Sequence, residues 1–242
     1  MSGKSALWLA GILALCSATA EAAPPAGKLL DGQRSFASAA RSIRADLRVE
    51  TGPAAPHHPL LGLRRALRRG GQLHRSSPAD AEFALRPDLP PGEPAQLAIV
   101  RDKSLSLEGA LNVSLNLRKP DPEAPPELRV LALALGATKL DRAVGRAGVR
   151  FQREVLTLDR IDGRLVWAVG DGEACVWLDR ELHRLVRLEF GPGVIDKDVW
   201  AATLSYDHGG PGRGWFPTRV VIERNRGHVL TVHTASVQLS KR

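Results

Sequence analysis

The stretch from Val149 to Phe190, VRFQREVLTLDRIDGRLVWAVGDGEACVWLDRELHRLVRLEF, constrains the fold of this chain most. It reads as four consecutive strands joined by turns too short for anything but antiparallel neighbours. Asp162-Gly163 stands between two β-rich runs, and Asp-Gly supplies the positive φ angles of a two-residue hairpin turn. Gly170-Asp171-Gly172 makes the next reversal and Asp179-Arg180-Glu181 the third. In Leu165-Val166-Trp167-Ala168-Val169 both phases of the strand are apolar. Such a run is covered on both faces, or meets a core on one face and a greasy cavity on the other.

The rest of the chain extends this meander. Leu29 to Ser42 is expected as a helix, with Leu30, Phe36, Ala40 and Ile43 on or near one face. Ile43, Ala45, Leu47 and Val49 then alternate with Arg44, Asp46, Arg48 and Glu50, the pattern of a half-buried strand. Ala81 to Arg86 and Ala95 to Arg101 look like a strand pair. Ser104 to Leu117 reads as one alternating strand, with Gly109 marking a bulge or bend. Pro120 to Pro126 is a proline-rich loop. Glu127 to Gly148 is the second helical region, with a stripe of Leu128, Leu131, Leu135 and Ala132, a break at Gly136 and a short turn of helix over Asp141 to Ala147. LRVLALALG is too apolar for an exposed helix, so it must lie on the sheet or plug something. Asp198 to Tyr206 is a further strand, and Phe216 to Arg224 with His228 to Ser240 form a last hairpin around Asn225-Arg226-Gly227. The count comes to about nine to eleven strands and two or three helices. Consecutive strands with helices gathered on one side define an α+β class, and a sheet this large curls towards a barrel.

The first 22 residues read as an export signal: Lys4, a short apolar run from Ala6 to Cys16, and the small-x-small site Ala20-Glu21-Ala22. The exported chain then starts at Ala23 and forms a single domain over residues 23–242, placed in the periplasm. A retained membrane anchor and a lipoprotein anchored at Cys16 are the alternatives. Lys4 and Glu21 cancel, so the exported chain keeps the whole net charge of +8. That balance favours anionic surfaces such as phospholipid head groups. Nucleic acid is disfavoured by the signal and by the lack of a basic stretch interleaved with stacking aromatics. Between Pro59 and Arg69, a short helix would gather Leu60, Leu63, Ala66 and Leu67 opposite Arg64, Arg65, Arg68 and Arg69. The four arginines either touch anionic lipid or form a solvated face. Cys175 is the one cysteine left after the signal, which leaves no internal disulfide, and its strand makes it a small buried thiol rather than a reactive one.

Catalytic constellations do not emerge. There is no G-x-S-x-G, no H-E-x-x-H and no phosphate-cradling glycine loop. Adjacent His57 and His58 point in different directions, and His228 and His233 fall on opposite phases of one strand, so neither pair makes a metal site. Asp196 and Asp198 sit in a turn, and Asp159, Asp162, Asp171, Asp179 and Glu181 stand at strand ends, where such residues have structural uses. The chain does not read as an enzyme, and no cofactor is expected. Aromatics make up only 5% of it, too few to fill a wide barrel. Either side chains fill the curve of the sheet or a ligand does. An acyl chain there would gain about 0.8 kcal/mol per buried methylene, so about a dozen methylenes suffice without any catalytic group.

The stretches RIDGRLVWAVG, VWLDRELHRLVRLEF, WAATLSYDHGG with GWFPTRVVIER, and the C-terminal strand resemble the exported lipoprotein-carrier family, the Lol-type outer-membrane lipoprotein-sorting proteins. The likeness spans roughly residues 127–240, and the N-terminal third matches in element order. It implies an unclosed antiparallel β-barrel, lidded or plugged by helices, whose concave face takes lipoprotein acyl chains or another lipid. Members of this group hand lipoproteins across the periplasm, sense envelope stress or bind lipid. The cavity would be lined by Leu107, by Leu128, Leu131 and Leu135 of the helix, and by one phase of the strands: Leu165, Trp167 and Val169, Val186 and Leu188, Val220 and Ile222. Which phase faces inward is left open by the sequence. Arg44 and Arg48 on the first strand are the candidates for the family's lid arginine. The alternative reading is an envelope sensor or protein-interaction module that uses the same sheet without transport.

Overall fold

A computed structural model describes residues 23–40, 42–52, 92–109, 113–119, 124–146, 151–152, 156–210 and 214–240. The signal, Cys16, the histidine pair and the basic segment with Arg64, Arg65, Arg68 and Arg69 lie outside the described residues. Among the described residues, three helices, α1 (Ala26–Ser38), α2 (Pro126–Gly136) and α3 (Leu140–Arg146), accompany eleven strands. The strands are β1 (Ser42–Thr51), β2 (Glu93–Val100), β3 (Ser104–Gly109), β4 (Val113–Asn116), β5 (Leu156–Ile161), β6 (Arg164–Gly170), β7 (Ala174–Asp179), β8 (Leu185–Phe190), β9 (Trp200–Ser205), β10 (Arg219–Arg224) and β11 (Gly227–Ser240).

All eleven belong to one sheet, ordered β4-β3-β2-β1-β11-β10-β9-β8-β7-β6-β5, with every neighbour antiparallel. Two meanders are thus joined where β1 pairs with β11. The two outer strands, β4 and β5, are not paired with each other, so the sheet does not close. The chain that links them carries α2 and α3 across the gap. Curvature follows from the contacts of α2, which touches β2 and β3 on one side and β9 and β10 on the other. In a flat sheet β3 and β9 would stand roughly 24 Å apart, about twice the width of a helix. The sheet therefore wraps around α2.

The turns expected from the sequence are formed by the chemistry expected of them. Asp162 and Gly163 have φ of 48° and 79°, and Asn225 and Arg226 have 49° and 65°, the paired positive angles of two-residue hairpins. The last turn is thus Asn225-Arg226, with Gly227 already in β11. Asp171 accepts from the amides of Glu173 and Ala174 at 2.9 and 3.3 Å, and Asp179 from those of Glu181 and Leu182 at 3.0 and 2.8 Å. These carboxylates hold reversals, as side-chain mimics of a backbone turn do.

Two sequence expectations are corrected. Ser104 to Leu117 is a hairpin, not one strand: Leu105 lies opposite Leu115 and Leu107 opposite Val113. Gly109, at φ +99°, ends β3 in a conformation that side chains resist. The alternation survives because both arms present the same phase to the core. β2 pairs with β1 and β3; the strand expected over 81–86 lies outside the described residues. The first helix also stops at Ser38 instead of Ser42, because Ser42 already pairs with Val100 and Ser240.

Candidate functional site: a helix seated in an open half-barrel

The register decides which phase faces inward. Val169, Val176, Leu188, Ala202, Ile222 and Leu230 stand side by side across β6, β7, β8, β9, β10 and β11. Each of the six is fully buried. On the other meander, Leu107 and Leu97 continue the same face beside Ala45. Against this surface α2 places Leu128, Val130, Leu131, Ala132, Ala134 and Leu135, all buried. Pro126 begins the helix, where a missing N–H costs nothing. Gly136 ends it against Leu117, whose methyl a Cβ would meet at 2.4 Å.

The structure brings most of the sequence-derived candidates together. Leu107, Leu128, Leu131, Leu135, Val169, Leu188, Val220 and Ile222 share one buried cluster, with Trp167 packed against it. Leu165 has the right phase but stays 38% exposed near the β5 edge. Val186 does not join Leu188. A bulge between Trp177 and Leu178 sets Arg187 opposite Trp177 and Leu185 opposite Leu178, so Leu185 and Leu188 point in and Val186 is left as the extra residue. Strict alternation cannot reveal such a bulge.

Arg44 and Arg48 stand on the outer phase of β1, where Arg44 lines a polar groove and Arg48 donates to the Gly92 carbonyl at 3.1 Å. Arg101, in the β2–β3 turn, reaches α2. Its guanidinium donates to the Leu135 carbonyl, and burial lowers its pKa to about 10. The same turn supplies a clasp. The Asp102 amide donates to Gly136 O at 3.1 Å, and the Asp102 carboxylate accepts from both the amide (2.9 Å) and the hydroxyl of Thr138. These groups satisfy carbonyls and amides that a helix end leaves open. Near the other end, Arg129 donates to Ile195 O at 3.2 Å. An apolar helix is thus held in the barrel by polar ties at both ends. In the sequence, Arg101-Asp102-Lys103 reads only as a charged reversal, so its reach to α2 carries no local signal.

Beside the clasp lies a small, partly open recess of about 20 Å³, bordered by Gln33, Phe36, Arg101, Leu135, Tyr206 and Trp215 among others. Gln33 Oε1 and Arg101 Nε are buried there without a hydrogen-bond partner among the described residues. The Tyr206 hydroxyl donates to Leu185 O at 2.9 Å, and burial raises its pKa. The Arg184 guanidinium sits 4.5 Å from the Tyr206 ring centre. Phe36 stacks on Trp215 with centroids 5.1 Å apart, and Trp215 remains 51% exposed.

Groups with chemical potential elsewhere have structural partners. Asp159 accepts from Trp177 Nε1 at 2.9 Å, which lowers its pKa, and Asp196 accepts from Trp200 Nε1 at 2.8 Å. His228 bonds Thr231 at 2.7 Å, and His233 faces Glu50 at 3.6 Å. Among the described residues, no group of three or more His, Cys, Asp and Glu side chains is placed to hold a metal ion. Cys175 is half-buried, and burial beside Glu189 pushes its thiol up to about 12. Alkylation of the native protein at pH 8 is therefore expected to be slow, rising to the rate of a free thiol on unfolding. A fast native reaction would show that the thiol is open to solvent.

Strand order and the enclosed helix define the class: an unclosed antiparallel half-barrel built around an apolar helix. No family model and no curated protein sequence matches the chain. Among solved structures it is similar to a LolA superfamily protein from Nitrosomonas europaea, at a TM-score of 0.43 and 11% identity over 91% of this chain and 96% of that one. A putative outer membrane lipoprotein-sorting protein domain from Vibrio parahaemolyticus is similar at 0.40 and 12%, over 88% and 93%. The Pseudomonas aeruginosa MucA/MucB complex is similar at 0.24 and 10%, over 90% and 100%. The first two are described as belonging to the group that the sequence resembles; the fold assignment itself rests on the strand order.

Proposed function

We propose that this protein is an exported carrier that binds the acyl chain of a lipid or lipoprotein on the concave face, in the place now held by α2. One observation carries the reading. The inner face is a continuous apolar surface, and its occupant is an almost purely Leu-Val-Ala helix tied down by polar contacts at its ends. An ordinary covering helix needs a wet outer face; α2 has Arg129 and little else. The exchange is energetically balanced. Leu128, Leu131 and Leu135 each contribute about 1.5–3 kcal/mol by burial, and a chain of about a dozen methylenes gains roughly 10 kcal/mol. A ligand of that size can replace the helix without a large net cost.

The test is native mass spectrometry of the full chain, expressed with its own leader and purified without detergent, followed by addition of dodecanoyl lipids. Adducts of acyl mass that release on unfolding are expected. A protein that carries no lipid and accepts none would sink the carrier reading. The same experiment weighs the second reading, a sensor that binds a protein partner. That reading has its own support: the inner face is filled, while Leu158 at 51% and Leu165 at 38% exposure leave apolar surface near the β5 edge. No helix among the described residues is long and apolar enough to cross a membrane.

A further inference from the structure

A crevice of about 230 Å³ lies between α1 and α3, lined by Gly27, Leu30, Asp31, Arg34, Lys139, Asp141 and Arg142. Arg34 comes from α1, one turn beyond Leu30 and Asp31; Lys139 immediately precedes α3 and Arg142 lies in its first turn. Among the described residues, none of these three cations has an ion-pair partner. Against these three cations stand two carboxylates, Asp31 and Asp141, so the crevice carries one more positive than negative charge. Its floor differs from its rim. Leu30 is only 9% exposed and belongs to the same buried cluster as Leu131 and Ile222. The wall at Gly27 is open, since a Cβ there would meet nothing within 4 Å.

A cationic rim above an apolar floor that runs into the main core fits one kind of ligand: an amphiphile with an anionic head. Two arginine forks and a lysine point charge suit phosphate oxygens. We propose that the crevice between α1 and α3 seats the phosphate of an anionic amphiphile whose apolar chain enters the concave face. The placement of the chain rests on the carrier reading; the seat for the head rests on the crevice alone.

The experiment compares four probes by calorimetry: inorganic phosphate, short-chain phosphatidylglycerol, phosphatidylcholine of equal chain length, and neutral monododecanoylglycerol. Phosphatidylglycerol is expected to bind at least about tenfold tighter than phosphatidylcholine, the worth of roughly one well-placed charge contact. The double variant Arg34→Glu, Arg142→Glu should lose that preference and still bind monododecanoylglycerol. Gly27→Glu, which adds bulk and negative charge at an open position, should do the same without touching an arginine. Equal affinity of the parent for the two phospholipids, which share the phosphate and differ in net charge, overturns the seat's preference for an anionic head while leaving the carrier reading intact. Inorganic phosphate binding as tightly as phosphatidylglycerol overturns the amphiphile assignment. If monododecanoylglycerol fails to bind the parent, the carrier reading falls; a phosphatidylglycerol preference that persists then supports the seat by itself.

Discussion

Leu131→Ala is expected to bind a dodecanoyl chain about tenfold or more tightly than the parent protein, while Ile222→Ala binds it more weakly. Both side chains are fully buried, and they meet in the same core. Each truncation lowers stability by about 2–5 kcal/mol. They differ in which partner they weaken. Leu131 belongs to the occupant and Ile222 to the surface it occupies. Loosening α2 raises the fraction of molecules whose inner face is free, and apparent affinity rises in proportion to that fraction. Truncating Ile222 takes contact area from the helix and from the ligand alike. Fluorescence displacement with a lipid probe reads the affinities, and thermal unfolding reads the stabilities. If both variants lose affinity to the same degree, α2 is permanent core and does not exchange with a ligand.

Asp102→Ala is expected to free the C-terminal end of α2. The carboxylate accepts from the amide and the hydroxyl of Thr138, just after the helix. Each hydrogen bond to a charged group contributes about 1.5–3 kcal/mol, so losing the pair should speed amide exchange near residues 135–138 by roughly a hundredfold or more. Thr138→Val removes the hydroxyl and keeps the amide bond, so its effect should be smaller. Lipid uptake should quicken in the same order, Asp102→Ala before Thr138→Val before the parent. Unchanged exchange in both variants would show that the packing of Leu131 and Leu135, not the clasp, holds the helix.

Much of this architecture is legible because it is local. Asp162-Gly163 and Asn225-Arg226 fix hairpins by backbone angles that few other pairs adopt, and apolar alternation marks the strands between them. The greasy composition of α2 likewise announces a helix that must be enclosed. Where the reading slipped, the deciding contact lay elsewhere in the chain. Val186 leaves the inner phase because of a bulge set by the pairing of β7 with β8. Arg101 reaches α2 only because the folded sheet brings the β2–β3 turn to the end of that helix.

By itself, then, the sequence determined a meander of antiparallel strands, its hairpins and two apolar or amphipathic helices, since these follow from side-chain period and turn geometry within a few residues. Tertiary structure alone decided three things. It joined β1 to β11, so that Ser236 donates to Asp46 across 190 positions. It left β4 and β5 unpaired with each other. It filled the inner face with α2 instead of leaving it open. Each depends on burying apolar surface between segments far apart in the chain, and burial is non-directional. The periodicity of one segment states that it will be covered, but not by what.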